Sequence, residues 1–151
     1  MRSPTAELCA LALIAMLAAC SVLPPSSYGP AAAGRRIFTD GIGADGQSIV
    51  RTGGMGMMSG GGCAPCHGGD GQGERTAMFD APNVTYANLT DPAGMIEADG
   101  SRGMVYTDTL IRRAVIDGIG ADGDSLDATM PRWQLTDTEW QDLLVYLKTL
   151  P

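Results

Sequence analysis

Near the end of the chain, Trp140, Leu143, Leu144, Leu147 and Leu150 recur at three- and four-residue steps, while Asp137, Glu139 and Asp142 fall off that stripe. This period predicts an amphipathic helix. Its start is written as Thr136-Asp137-Thr138-Glu139, a capping box in which hydroxyl and carboxylate each satisfy a backbone N–H that the first turn leaves free. Leu135 and Trp140 can staple the approach to the cap, and the acidic residues gather at the positive end of the helix dipole. A second helix is predicted from about Asp108 to Asp117, capped by Thr107, stopped by Gly118, and carrying Leu110, Ile111, Ala114 and Val115 inward. A third, shorter one covers Ala31 to Thr39, with Gly34 and Phe38 one turn apart. Glycine there costs about 1 kcal/mol relative to alanine but lets another helix approach closely. No stretch alternates as a strand, so the expected class is all-α, three to five short helices joined by long glycine-rich loops. Loops of that length are tolerable in a compact domain mainly when something else organises them.

The amino terminus carries a different pattern. Residues Leu8 to Ala19 form an apolar run of twelve after Met1-Arg2, too short for a bilayer span of about 20 residues but suited to a signal-peptide core. Leu17-Ala18-Ala19-Cys20 resembles a bacterial lipobox, in which the cysteine is acylated and becomes the first residue of the mature chain. The expected organisation is a leader over 1–19, a Pro/Ser/Ala-rich tether over 20–30, and one domain over 31–151. Acyl chains at Cys20 would hold the protein to a membrane on the periplasmic side, each buried methylene contributing about 0.8 kcal/mol. Ser21 after the cysteine favours the outer membrane, as in lipoproteins that lack aspartate at that position. A plain signal peptide, leaving a soluble periplasmic protein, is the alternative.

Composition narrows the class of partner. The net charge of −7 argues against nucleic acid and for a basic docking surface on another protein. Two Phe and two Trp are a thin aromatic supply for a core. Once the leader is gone, Cys63 and Cys66 are the only cysteines left besides Cys20, so no disulfide is required.

Cys63-Ala64-Pro65-Cys66-His67 reads C-x-x-C-H, the pattern at which a haem is bonded through two thioethers and its iron taken by the following imidazole. Both sulfurs must reach vinyl carbons of one macrocycle, which requires them on one turn. A thioredoxin-type motif would want a preceding strand, yet Ser59-Gly60-Gly61-Gly62 punctuates the chain there. A zinc site would want a second ligand pair, and His67 is the only histidine. A carrier that binds no substrate at iron needs a second axial ligand. Met130, in Ala128-Thr129-Met130-Pro131-Arg132-Trp133 just before the capped helix, is the candidate, since proline stiffens the loop and the helix fixes its end. Arg132 and Arg51 are candidates for a haem propionate, and Trp133 for covering the haem.

With these residues together, the chain resembles a class I c-type cytochrome of the small mono-haem bacterial kind over about residues 30–151. The resemblance implies a cytochrome c fold around one covalent haem c, electron transfer rather than catalysis, and donor and acceptor proteins as partners. It implies that the first and last helices cross with Gly34 and Phe38 against Tyr146. It also implies that the carbonyl of Pro82, in Ala81-Pro82-Asn83-Val84, accepts the other N–H of His67, which would orient the ring and make its free nitrogen a better donor. An open-iron haem enzyme or sensor, and a haem subunit serving a partner oxidoreductase, are the competing readings.

Two features depart from that family pattern. Twenty-four residues separate Phe38 from Cys63, and they include Met55, Met57 and Met58 among glycines. Three thioethers suit Cu(I), whereas adaptable methionines also suit a flap over the haem edge. The second is an internal repeat: Asp40-Gly41-Ile42-Gly43-Ala44-Asp45-Gly46 recurs as Asp117-Gly118-Ile119-Gly120-Ala121-Asp122-Gly123. The order of aspartates is not that of a calcium loop, and both copies are expected to be helix-ending glycine turns.

Overall fold

A computed structural model describes residues 29–55 and 60–151. The leader, Cys20, Met57 and Met58 lie outside the described residues. Five helices follow in chain order among those described: α1 (Pro30–Asp40), α2 (Ala64–His67), α3 (Tyr86–Leu89), α4 (Asp108–Asp117) and α5 (Asp137–Leu147). The three expected helices are α1, α4 and α5; α4 and α5 start at the caps the sequence marks, whereas α1 starts at Gly29 without a side-chain cap. Glu139 N–H donates to Thr136 Oγ1 at 3.3 Å while Thr136 N–H donates to Glu139 Oε2 at 2.9 Å, closing the box. Leu110 N–H donates to Thr107 Oγ1, and α4 ends on Gly118 with φ 67°. Leu150 lies beyond the end of α5 but still packs, half-buried, against the core.

Helix α1 crosses α5, and Gly34 makes the crossing possible. A methyl group there would lie 1.9 Å from the Asp142 carbonyl oxygen. One turn on, Phe38 is fully buried and its ring meets that of Tyr146 at 5.4 Å between centroids, tilted 55°. Ile37, Phe38, Trp140, Leu143, Leu144 and Leu147 form the buried centre, joined from the far side by Leu89, Met95 and Ile111.

Strand structure is present where no alternation predicts it, as four segments of two residues among the described residues. β1 (Arg51–Thr52) pairs antiparallel with β4 (Arg132–Trp133), Arg51 opposite Trp133. β2 (Glu74–Arg75) pairs with β3 (Asp80–Ala81). Two residues span one pleat, too little for a period of two to register in a sequence.

The repeated heptapeptide folds twice into the same loop. Gly41 and Gly118 end α1 and α4 in the left-handed region, and Ile49 N–H and Leu126 N–H return to their carbonyls, each at 2.8 Å. Gly43 and Gly120 donate to Gln47 and Asp124, again at 2.8 Å in both copies. The aspartates close the tips: Asp45 Oδ1 accepts Gln47 N–H and Asp122 Oδ1 accepts Asp124 N–H. Each copy is therefore a helix stop followed by a closed loop.

Candidate functional site

The attachment turn hangs from the end of α1. Cys63 N–H donates to the Phe38 carbonyl at 2.6 Å and Gly62 N–H to that of Thr39 at 3.2 Å, so the first thiol starts its helical turn against the core. His67 N–H then donates to the Cys63 carbonyl at 3.0 Å, setting Cys66 and the imidazole on the short helix α2 with Cys63 as its N-cap. Beyond it the chain doubles back: Gly73 N–H reaches the His67 carbonyl and Val84 N–H the Gly71 carbonyl, each at 2.8 Å. That fold brings Pro82 to the imidazole, where His67 Nδ1 and the Pro82 carbonyl lie 2.9 Å apart.

A carbonyl can only accept, so Nδ1 carries the proton and the lone pair is on Nε2. Burial pulls the His67 pKa below its ordinary value, with the Pro82 bond opposing, and the residue is 8 % exposed. Burial pushes the Cys63 thiol up to about 12, the neighbouring Cys66 adding to the effect; Cys66 is raised too, first by burial, with Arg51 opposing. Neither sulfur is in a disulfide.

Cys63, Cys66, His67 and Met130 all line one cavity of about 890 Å³. Its walls are mostly apolar, with Phe38, Leu143 and Leu147 from the helix crossing, Ile111 from α4, and Trp133 from β4. Sites that bury a whole organic cofactor run to about 300–1,000 Å³, so this space is of the right class. Two thiols on one turn, a neutral imidazole with a free nitrogen and a soft thioether make up the donor set that covalent haem needs. The residues present fit the group.

Known proteins decide the family. The family model described as Cytochrome c matches residues 31–151. The chain belongs to the cytochrome c family. No curated protein and no solved structure matches it. As a cytochrome c it binds haem c covalently, with iron, and Cys63 and Cys66 stand in place for the two thioether bonds. Electron transfer is the family's function.

Within this cytochrome c the other expected residues fall out as follows. Trp133 is 4 % exposed, lines the cavity, and has the Arg51 guanidinium 5.2 Å from its ring centroid. Arg51 lines the cavity as well. Arg132 is not among the lining residues, and its guanidinium is turned to backbone carbonyls. Its Nη1 donates to the carbonyls of Asp127, at 2.9 Å, and Met130; its Nη2 donates to those of Leu126, at 2.7 Å, and Gly118, at 3.3 Å. Four carbonyls thus receive the four hydrogens of its two Nη groups.

The sequence reading missed the strap opposite Met130. Gly54 N–H donates to the Ala128 carbonyl and Gln134 N–H to that of Val50, both at 2.9 Å, on either side of the β1–β4 pair. It also missed the hairpin around residues 95–104, which brings Met95 and Met104 to the cavity. Ile96 pairs there with Arg102, a single bridge that leaves no periodic trace.

Proposed function

We propose that this cytochrome c is a periplasmic one-electron carrier, held to the outer membrane by acyl chains on Cys20, with His67 and Met130 as the two axial ligands of its iron. The haem, when bound, supplies a one-electron ferric/ferrous couple. The chain's part is to hold the iron's surroundings constant in both states. Pro82 keeps the His67 proton on Nδ1, so Nε2 is always the donor and the ring cannot turn. The loop carrying Met130 is tied on one side by β1 and on the other by Arg132, so a thioether stays at hand without a large rearrangement. The mostly apolar walls around both residues would limit the approach of water to the metal. No substrate need bind at iron, and the net charge of −7 suits donor and acceptor proteins with basic docking faces.

The observation that carries this reading is that Met130, of the methionines lining the cavity with His67, stands in a loop tied on both sides, by β1 and by Arg132. The test is Met130→Ala in protein matured with its haem. The variant should lose the sulfur-to-iron charge-transfer band, show a lower midpoint potential, and bind carbon monoxide that the unaltered ferrous protein resists. A band that persists in the variant rules Met130 out as ligand, and ready carbon monoxide binding by the unaltered protein favours an open-iron enzyme or sensor. For the anchor, Cys20→Ala should release the protein from membranes into the soluble periplasmic fraction.

A further inference from the structure

The residue after Met130-Pro131 is committed to something other than the haem cavity. Arg132 directs both terminal nitrogens at backbone carbonyls drawn from two places: Gly118, the stop of α4, and Leu126, Asp127 and Met130 within the ligand loop. Its two Nη groups carry four hydrogens between them, and four carbonyls receive them. The guanidinium lies directly on the α4 stop, since a methyl group on Gly118 would come within 1.8 Å of Arg132 Nε. The next residue, Trp133, reaches the other copy of the repeat: a methyl on Gly41 would lie 3.3 Å from its ring, behind the nearer Gly61 carbonyl at 2.7 Å. The two neighbours on β4 therefore meet the ends of two different helices.

We infer that Arg132 is the positioning residue of the Met130 ligand: by clamping the carbonyls of residues 126, 127 and 130 onto the end of α4 it holds the thioether over the iron, in competition with ligands from solvent. This rests on Met130 being the axial ligand. A lysine keeps the positive charge but offers a point donor with no planar fork, so it cannot serve carbonyls on both sides at once. The clamp acts on an equilibrium between a closed loop, sulfur on iron, and an open one. An exogenous ligand can reach the metal only in the open state, so its apparent affinity rises in proportion to the open fraction.

The experiment titrates imidazole into the ferric holoprotein and into Arg132→Met, Arg132→Lys, Met130→Ala and Leu144→Ala. The last is a buried position outside the cavity lining and reports what lost stability alone does. Expected are imidazole binding tighter by about tenfold or more in Arg132→Met, as loss of charge-assisted hydrogen bonds implies, a smaller shift in Arg132→Lys, and a weakened sulfur-to-iron band in both. Leu144→Ala should lower Tm while leaving the imidazole affinity where it was. If Met130→Ala abolishes the band but Arg132→Met binds imidazole like the unaltered protein, the positioning role is overturned and the ligand reading survives. If Met130→Ala keeps the band, the ligand reading itself has failed. Should Arg132→Met not accumulate, Arg132→Lys decides alone: affinity equal to the unaltered protein's disposes of the clamp. An equal shift in Leu144→Ala also overturns it, since general loosening would then account for the effect.

Discussion

His67, Thr136 and Arg132 each owe their role to a backbone group that can only accept or only donate. The Pro82 carbonyl fixes the imidazole tautomer, because no proton can come from its side of the 2.9 Å contact. Thr136 and Glu139 do the same for the start of α5, where two backbone N–H groups would otherwise go unpaired. That cap stands three residues after Trp133, so it also sets where the ligand loop ends. Thr136→Ala should cost about 1 kcal/mol, and Thr136→Ser should recover most of it because the hydroxyl is what the helix needs. Thermal or denaturant melting of the holoprotein measures both. Equal losses in the alanine and serine variants would show that the methyl group, not the hydroxyl, matters there.

Helices α3, α4 and α5 meet at one polar cluster. Lys148, at the end of α5, donates to Asp108 Oδ2 at 2.9 Å, and Tyr86 Oη donates to Asp108 Oδ1 at 2.8 Å, with the ammonium also 4.7 Å from the tyrosine ring centroid. The Lys148 ammonium, and after it the Tyr86 hydroxyl, hold the Asp108 carboxyl below its ordinary range. A carboxyl depressed in the folded state stabilises only while ionised. Its contribution is complete above the unfolded value of about 3.9 and is lost as pH falls through the lower folded value. Both charged side chains are roughly two-fifths exposed, so screening limits the effect. Asp108→Asn should therefore cost no more than about 1 kcal/mol at pH 7. The gap between variant and parent should close in acid, as melts at pH 7 and pH 3 would reveal. A gap that widened toward acid would mean the pair is not what the aspartate contributes.

For the molecule as a whole, what could be read from the sequence divides by range. α1, α4 and α5 were legible because a 3.6-residue period and an N-cap or glycine stop are local properties, and the attachment turn because its five residues are contiguous. Gly34 against Tyr146 and Pro82 against His67 came through family resemblance, since nothing near either residue announces its distant partner. The strap of β1 on β4 and the true partners of Arg132 were not legible. Both depend on backbone carbonyls, which every residue owns and no side-chain pattern encodes. The repeat was visible as a repeat, but only its folded form relates the copies, through Trp133 at Gly41 and Arg132 at Gly118.

The same division bears on how the domain holds together. Its two halves, the α1–α5 crossing and the part bearing α4 with the hairpin around 95–104, face each other across a cavity of about 890 Å³ that Phe38, Leu143, Leu147 and Ile111 help to line. Those side chains belong to the one buried cluster of the core, so the wall of the cavity and the core of the fold are the same residues. A macrocycle bonded in that space adds apolar burial that the chain, with two Phe and two Trp, does not supply by itself. Cys63→Ala/Cys66→Ala, which cannot form either thioether, should therefore lose cooperative melting and most of its helical circular dichroism, while the single variants, still able to hold haem by one bond, should melt cooperatively at reduced Tm. A double variant that remained helical and melted sharply without haem would show that the helix crossing at Gly34 suffices to fold the chain.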